Sequence, residues 1–512
     1  MDIILEIILL ELTILYGYLK FDFHLLFLQQ SHYSVGRYLN YIKKNFFIAF
    51  KPYEILLVLI AFFLRSNLVL SFMLICIVMF FNFQFVMMSR KRFDTKLGLK
   101  YTPRVFRTLI IFFILIGTSI LSFSYFTYLL IVLLMPLIMI ITSLISYVIE
   151  NLIKEYYKSK AKAKLESIKD IKVIGITGSY GKTSTKNIIF DLLSEFEPTL
   201  KTPKSFNTPN GVSMTINNEL NPLFKNFIVE MGAFKKGDIK ELTQFVTPSI
   251  GIVSSVGPQH LESFKHIDNV TKTKLELIEY MPKGSIAILN HDNDFIRDYN
   301  IQNKVKVLTF GIKNKDVNFY GSNIKFEHGI TSFTFHDNKT KEKFKVETVL
   351  LGKHNVENIM ASIICLKSLG FDIQEICKKT LKIKKIPNRL EFKQISKDTI
   401  IIDDSFNGNI EGIKEAVNLS KVYPEHKAIL ITPGIIDLGK EQYNVNKELG
   451  KYIAKYIDDL YIVSKENLRA IEDGFDNQAN RYDNFLDAYN KAFATKGKKL
   501  IIICNDLPEK FN

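Results

Sequence analysis

Long uninterrupted apolar runs mark the first 150 positions of the chain, and short apolar runs separated by charge mark the rest. From Thr108 to Ile149 no residue is charged. One helical span needs about 20 apolar residues, so this run predicts two spans joined by the turn near SFSYFT. Asn67–Met88 predicts a further span, and Ile3–Tyr18 and Tyr53–Leu64 are shorter candidates, for about four or five spans in residues 1–150. A basic linker helix is expected over 151–170. From 171 to about 385, strand-like and helix-like segments alternate: IKVIGIT then NIIFDLLSEF, NFIVEMGA then KGDIKELTQF, SIGIVSSV then VTKTKLELIEYM, SIAILN, and VKVLTFG. Strands separated by helices predict a parallel sheet covered on both faces. A second alternating set begins near IPNRLEF and runs through TIIIDDSF, KAILITPG, DLYIVS and KKLIIICND, so 386–512 reads as a smaller α/β domain.

The composition agrees with this division. The 512 residues carry a net charge of +15. The basic residues cluster at the flanks of the apolar runs, in SRKRFDTKLGLKYTPRVFR and KEYYKSKAKAK. That placement fits contact with anionic membrane lipid and argues against nucleic acid. By the positive-inside bias both flanks face the cytoplasm, so the expectation is a multi-pass protein of the cytoplasmic membrane with its soluble region on the cytoplasmic side. Cys76, Cys365, Cys377 and Cys504 show no paired spacing, which fits a reduced compartment and neither a zinc site nor a disulfide framework. No cleavable signal is evident at the N-terminus.

The candidate chemistry begins at GITGSYGKTSTK, where a strand breaks on glycines and re-forms as a helix. Gly178, Ser179, Gly181, Lys182, Thr183 and Ser184 form a loop whose N–H groups and helix N-terminus suit a phosphate. Lys182 would reach the β and γ phosphates and the Thr183 hydroxyl would ligate Mg²⁺. The full G-x-x-x-x-G-K-[ST] spacing is absent, because Ile176 stands where its first glycine belongs; this is a GxxGKT variant. Glu230, at the carboxyl end of NFIVE, is an acid where ligands gather in such sheets. His260 follows the next strand in the same way, although a histidine so placed is more often structural than a ligand.

Eight ordered motifs, TGSYGKTST, SFNTPNGV, VEMGA, GPQHLESF, VTKTKLE, GKHNVENIMAS, PNRLE and DDSFNGN, together resemble the Mur ligase family, ATP-dependent enzymes that build the peptide of bacterial cell-wall precursors. The resemblance covers about Lys172 to the C-terminus. SFNTPNGV, TKTKLE and DDSFNGN most resemble the branch that adds D-alanyl-D-alanine to a UDP-N-acetylmuramoyl tripeptide. The apolar runs give an α-helical transmembrane region, and the resemblance implies that α/β domains follow it, a P-loop-type parallel-sheet ATPase domain and a smaller Rossmann-like C-terminal domain. It also implies phosphorylation of a substrate carboxylate by ATP, then attack of an amine on the acyl phosphate.

The same resemblance implies roles for individual residues. Lys182 and Thr183 would hold the ATP phosphates and one Mg²⁺, with Glu230 completing that metal site, and His260 would bind a second Mg²⁺. Lys274 aligns with a lysine carried as a carbamate, with Lys272 two residues away as the alternative. Asn355 and Asn358 would meet adenine, Arg389 the phosphates and Asp404 the ribose, with Phe406 and Asn407 beside the nucleotide. Asn207 and Asn210 would face the acceptor substrate. The partners implied are a cell-wall precursor, an amine acceptor dipeptide, membrane lipid and other wall-synthesis enzymes.

Two departures from the family pattern matter. Membrane-like segments occupy residues 1–150, where soluble relatives carry a UDP-sugar-binding domain, and ILITPGIIDLGKEQ replaces a more usual glycine-methionine loop. A ligase acting on a lipid-linked or poly-glutamate carboxylate therefore stays open, as does a non-ligase P-loop ATPase, which the absence of charge in the longest spans disfavours.

Overall fold

The computed structural model describes residues 2–31, 33–44, 46–50, 52–63, 69–70, 72–77, 79–80, 99–120, 124–257, 264–327, 329–405, 410–436, 438, 441–463, 466–475 and 479–505. The chain divides into two compact units, Met1–Tyr156 and Tyr157–Asn512.

The first unit is helical: α1 (Asp2–Gln30), α2 (Val35–Lys44), α3 (Phe46–Ala49), α4 (Pro52–Phe63), α5 (Pro103–Ile120) and the start of α6 (Tyr125–Ser167). Four or five spans were expected. Among the described residues one helix, α6, is long and apolar enough to cross a membrane, and the apolar stretch in α4 is shorter. The Asn67–Met88 candidate lies mostly outside the described residues. Within this unit Lys20 Nζ donates to Glu54 Oε2 at 2.6 Å and to the Val132 carbonyl at 2.8 Å, while the Tyr16 hydroxyl donates to Glu54 Oε1 at 2.6 Å. Burying a charge without a partner is costly, and here both charges of the pair are satisfied.

The boundary between 150 and 151 falls inside α6, because nothing in VIENLIKEYYKSK breaks a helix. The apolar run and the basic segment are therefore one element.

In the second unit, nine strands form one sheet in the order β2-β3-β1-β4-β5-β6-β7-β8-β9. They are β1 (Lys172–Thr177), β2 (Thr199–Lys201), β3 (Asn226–Glu230), β4 (Ile250–Val253), β5 (Ile286–Asn290), β6 (Lys306–Gly311), β7 (Phe319–Glu327), β8 (Ile330–Asp337) and β9 (Lys343–Thr348). The first six are parallel, and β1, β3, β4 and β5 are nearly continuous apolar runs, as strands buried on both faces must be. One face packs on α7 (Lys182–Leu193), α12 (Lys353–Ser368) and α13 (Ile373–Lys379). The other packs on α8 (Pro209–Asn218), α9 (Asp238–Val246), α10 (Ile267–Tyr280) and the short α11 (Asp294–Arg297).

Strands β7 to β9 add an antiparallel extension that the chain's apolar pattern does not announce. In ITSFTFHD and KFKVET side chains alternate between the core and solvent, so each apolar run is too broken to stand out.

The remaining residues build a six-stranded sheet in the order β10-β11-β15-β12-β13-β14. Its strands are β10 (Glu391–Gln394), β11 (Thr399–Asp404), β12 (Lys427–Thr432), β13 (Asp459–Ile462), β14 (Asn480–Arg481) and β15 (Lys499–Cys504). All pair in parallel except β10 with β11. Helices α14 (Ile410–Asn418), α15 (Gln442–Ile453), α16 (Leu468–Phe475) and α17 (Phe485–Phe493) complete it.

Candidate nucleotide and carboxylate-activation site

Strand β1 lies between β3 and β4, so the loop leaving its carboxyl end sits where ligands bind in open parallel sheets. Gly178 (φ +153) and Gly181 (φ +81) hold backbone conformations that side chains resist, and a Cβ at Gly178 would lie 2.2 Å from Ser254 Oγ. The loop is tied to the end of β4: Ser179 N donates to the Ser255 carbonyl at 2.7 Å, and Tyr180 N to Ser255 Oγ at 3.2 Å. Lys182 Nζ donates to the Gly178 and Ser179 carbonyls at 2.7 and 2.9 Å. Burial lowers the Lys182 pKa to about 8, with Arg389 adding to the fall and Glu230 opposing it.

Glu230, 1% exposed, ends β3 beside this loop. Thr183 Oγ1 donates to its Oε2 at 3.0 Å, and Asn207 Nδ2 donates to its Oε1 at 3.2 Å. A neighbour that the motifs did not single out, Lys186, forms an ion pair with the same carboxylate at 2.8 Å.

Lys274 and Lys272 separate cleanly on α10. Lys274 is 3% exposed and Lys272 faces solvent. Burial, reinforced by the charge of Lys182, lowers the Lys274 pKa to about 7, so a large share of this amine is neutral near neutrality. A neutral amine is what addition of carbon dioxide requires.

Asn358 and Asn355 are buried on the first turns of α12. Thr185 Oγ1 donates to Asn358 Oδ1 at 3.0 Å, Asn358 Nδ2 to Asn355 Oδ1 at 3.3 Å, and Asn355 Nδ2 to the Leu351 carbonyl at 2.7 Å. Asp404 ends β11 and accepts from Leu390 N at 3.0 Å, which fixes the segment carrying Arg389. Burial lowers the Arg389 pKa, against the pull of Asp404 and Glu230.

A cavity of about 540 Å³ brings Gly181, Ser184, Asn358, Arg389 and Asp404 onto one surface. Asn207 is half-buried at Glu230, while Asn210 is exposed at the start of α8. His260, Phe406 and Asn407 lie outside the described residues.

The cavity also holds residues the motifs did not mark. Asn290 and Asp292 follow β5 at its carboxyl end, a position that could have flagged them. Glu357 and His354 share the helix of the two asparagines, and Glu415 comes from α14 of the second sheet. His354 Nδ1 bonds to Glu415 Oε2, and its backbone N donates to Glu415 Oε1 at 3.3 Å. Burial raises Glu357 to about 7, with Asp292 and Glu415 adding to it.

The chain is similar to known proteins over this region, and residues 176–366 match the model of the Mur ligase middle domain. With the flanking sequence, 298 residues are 29% identical to the UDP-N-acetylmuramoyl-tripeptide–D-alanyl-D-alanine ligase of Escherichia coli K12, covering 58% of this chain and 65% of that protein. The corresponding Bacillus subtilis ligase is 28% identical over 306 residues, 57% of this chain and 62% of that protein. The chain thus spans under two thirds of the length of these relatives.

Two solved structures are similar to this chain in fold. MurF from Acinetobacter baumannii superposes with a TM-score of 0.61 at 22% identity, over 69% of this chain and 77% of that one. MurF ligase from Thermotoga maritima, crystallised with ADP, gives 0.60 at 24%, over 69% and 80%.

The Thr183 and Glu230 oxygens are hard donors 3.0 Å apart and suit a magnesium ion. Lys274 as an amine does not, and would join such a set only as a carbamate. No cluster of three His, Cys, Asp or Glu side chains with metal-binding geometry occurs among the described residues.

Proposed function

We propose that this protein is an ATP-dependent amide ligase of peptidoglycan-precursor synthesis that adds D-Ala-D-Ala to UDP-MurNAc-tripeptide. One observation carries the reading. Elements of both sheets, Gly181 and Ser184 from the first, Arg389 and Asp404 from the second, meet at one cavity next to Lys182 and Glu230. The similarity to ligases named for that reaction supports the choice of substrates.

In this reading the loop from Gly178 to Ser184 binds the ATP phosphates through its N–H groups. Lys182 exchanges its bonds to the Gly178 and Ser179 carbonyls for phosphate oxygens, and Arg389 approaches from the other side. Asn355 and Asn358 meet adenine, and Asp404 the ribose. Thr183 and Glu230 would hold one magnesium ion, and His260 with a carbamoylated Lys274 a second. Magnesium held by these residues would supply positive charge next to the phosphoryl group. Asn207 and Asn210 orient the acceptor substrate. The chain is anchored to the cytoplasmic membrane by α6, with its catalytic part in the cytoplasm.

Purified protein given ATP, UDP-MurNAc-tripeptide and D-Ala-D-Ala should release phosphate and yield a pentapeptide mass. No product from a preparation that binds ADP would overturn the substrate assignment. A second reading, a Mur-type ligase for a lipid-linked or poly-glutamate carboxylate, is favoured by one feature, the helical unit occupying residues 1–156. ADP release stimulated by those acids and not by the tripeptide would select it.

A further inference from the structure

Lys186 lies one turn beyond Thr183 on α7, with 1% of its side chain exposed. A buried ammonium needs charged and polar partners, and Lys186 has two. Its Nζ pairs with Glu230 Oε2 at 2.8 Å and donates to the Lys204 carbonyl at 2.6 Å. Lys204 belongs to the segment between β2 and α8, where it adopts φ +44, a conformation that costs a lysine energy and persists only when the surroundings hold it.

The same segment touches Glu230 twice more. Thr202 Oγ1 accepts from Glu230 N at 3.1 Å, and Asn207 Nδ2 donates to Glu230 Oε1. Asn207 is in turn held by its carbonyl, which accepts from Gly232 N at 2.8 Å, and a Cβ on Gly232 would lie 2.7 Å from the Asn207 side chain. Glu230 is therefore the point where the nucleotide loop, through Thr183, and the 202–208 segment, through Asn207, meet. Lys186 pairs with that carboxylate and also holds the 202–208 segment through the Lys204 carbonyl.

We propose that Lys186 is a positioning residue that couples the two ends of the site, aiming Glu230 at Thr183 while strapping the acceptor-facing 202–208 segment to the same carboxylate. This rests on the ligase reading for the role of that segment, and on geometry alone for the strap. A substrate that displaces the 202–208 segment disturbs Glu230, and an ion at Thr183 and Glu230 draws on a carboxylate already aimed by Lys186. Lys186 itself touches neither phosphate nor acceptor.

The test compares the full-length chain in detergent with its Lys186→Met variant, which keeps the length of the side chain and removes the charge and donors. Hydrogen exchange, without nucleotide or metal, should quicken by about tenfold or more at amides 205–208 and stay unchanged in β4 and β5. In turnover the KM for the acceptor substrate should rise by about tenfold, with ADP affinity measured in EDTA within about threefold of wild type. Unchanged exchange at 205–208 in a folded variant overturns the proposal. So does loss of protection throughout the sheet in both Lys186→Met and Lys186→Gln, which would make Lys186 only a core residue. If Lys186→Met does not fold, Lys186→Gln, with a donor but no charge, carries the same comparison. Should the wild type form no pentapeptide, the substrate assignment fails, while the exchange comparison, which needs no turnover, still decides the strap.

Discussion

At the scale of single residues, the site is a set of buried cations held close together. Lys182, Lys186 and Arg389 approach one carboxylate, Glu230, with Lys274 close to Lys182, and burial lowers the pKa of Lys182, Lys274 and Arg389. A polyanionic ligand would relieve that repulsion. Lys182 rests on its own loop's carbonyls, a ready arrangement that a phosphate needs only to replace. Lys182→Met should lower the ATP-dependent rate by about 10²–10³-fold, the usual cost of losing one preorganised donor to the transferring group, with phosphate release as the measurement. A rate within threefold of wild type would remove Lys182 from the phosphate site.

At the scale of elements, the contact between α12 and α14 joins the two sheets at the cavity. His354 is the group that titrates there. Burial alone would lower its pKa, but Glu415, with Asp404 and Glu357 behind it, raises it from 6.5 to about 8. A raised histidine stabilises fully below pH 6.5 and loses that contribution as the pH climbs through 8. Glu357, raised from 4.5 to about 7, acts in the same direction, because its charge becomes costly as the pH passes from 4.5 to 7. Glu415 is lowered below the usual carboxylate value, mainly by His354 working against its own burial, so its contribution fades only at acid pH. Lys353 faces the same cluster. Lys274 and Lys182, lowered to about 7 and about 8, act in the opposite sense over this range in both proteins, so the advantage in thermal midpoint of the wild type over His354→Gln should shrink between pH 6.5 and 8.5, giving the two proteins different slopes against pH. An unchanged slope in the variant would show that His354 does not carry that difference.

At the scale of the whole molecule, a helical unit and an α/β unit share a chain whose charge is concentrated beside the apolar segments. Helix α6 carries both an apolar stretch long enough to cross a bilayer and the basic segment after it. The full chain should stay in the membrane pellet after an alkaline wash, and its release into the supernatant would refute anchoring by α6. The parallel strands, the phosphate loop and the acid at the end of β3 were legible in the chain because each is local: a strand buried on both faces is a run of apolar residues, and a phosphate loop is a few glycines before a helix. Lys274 was also in view, but the choice against Lys272 came from burial on α10, which a helix of mixed pattern does not declare.

What the amino-acid order determined alone was therefore the α/β character of the chain from about residue 171 onward and the glycine loop between a strand and a helix, since both depend on neighbours a few positions apart. What only the tertiary structure decided was the pairing of Lys186 with Glu230, the meeting of His354 with Glu415 and the antiparallel β7 to β9. In the ion pairs the partners are 44 and 61 positions apart, and a buried charge is recognisable only when the group that compensates it has been brought to it by the fold.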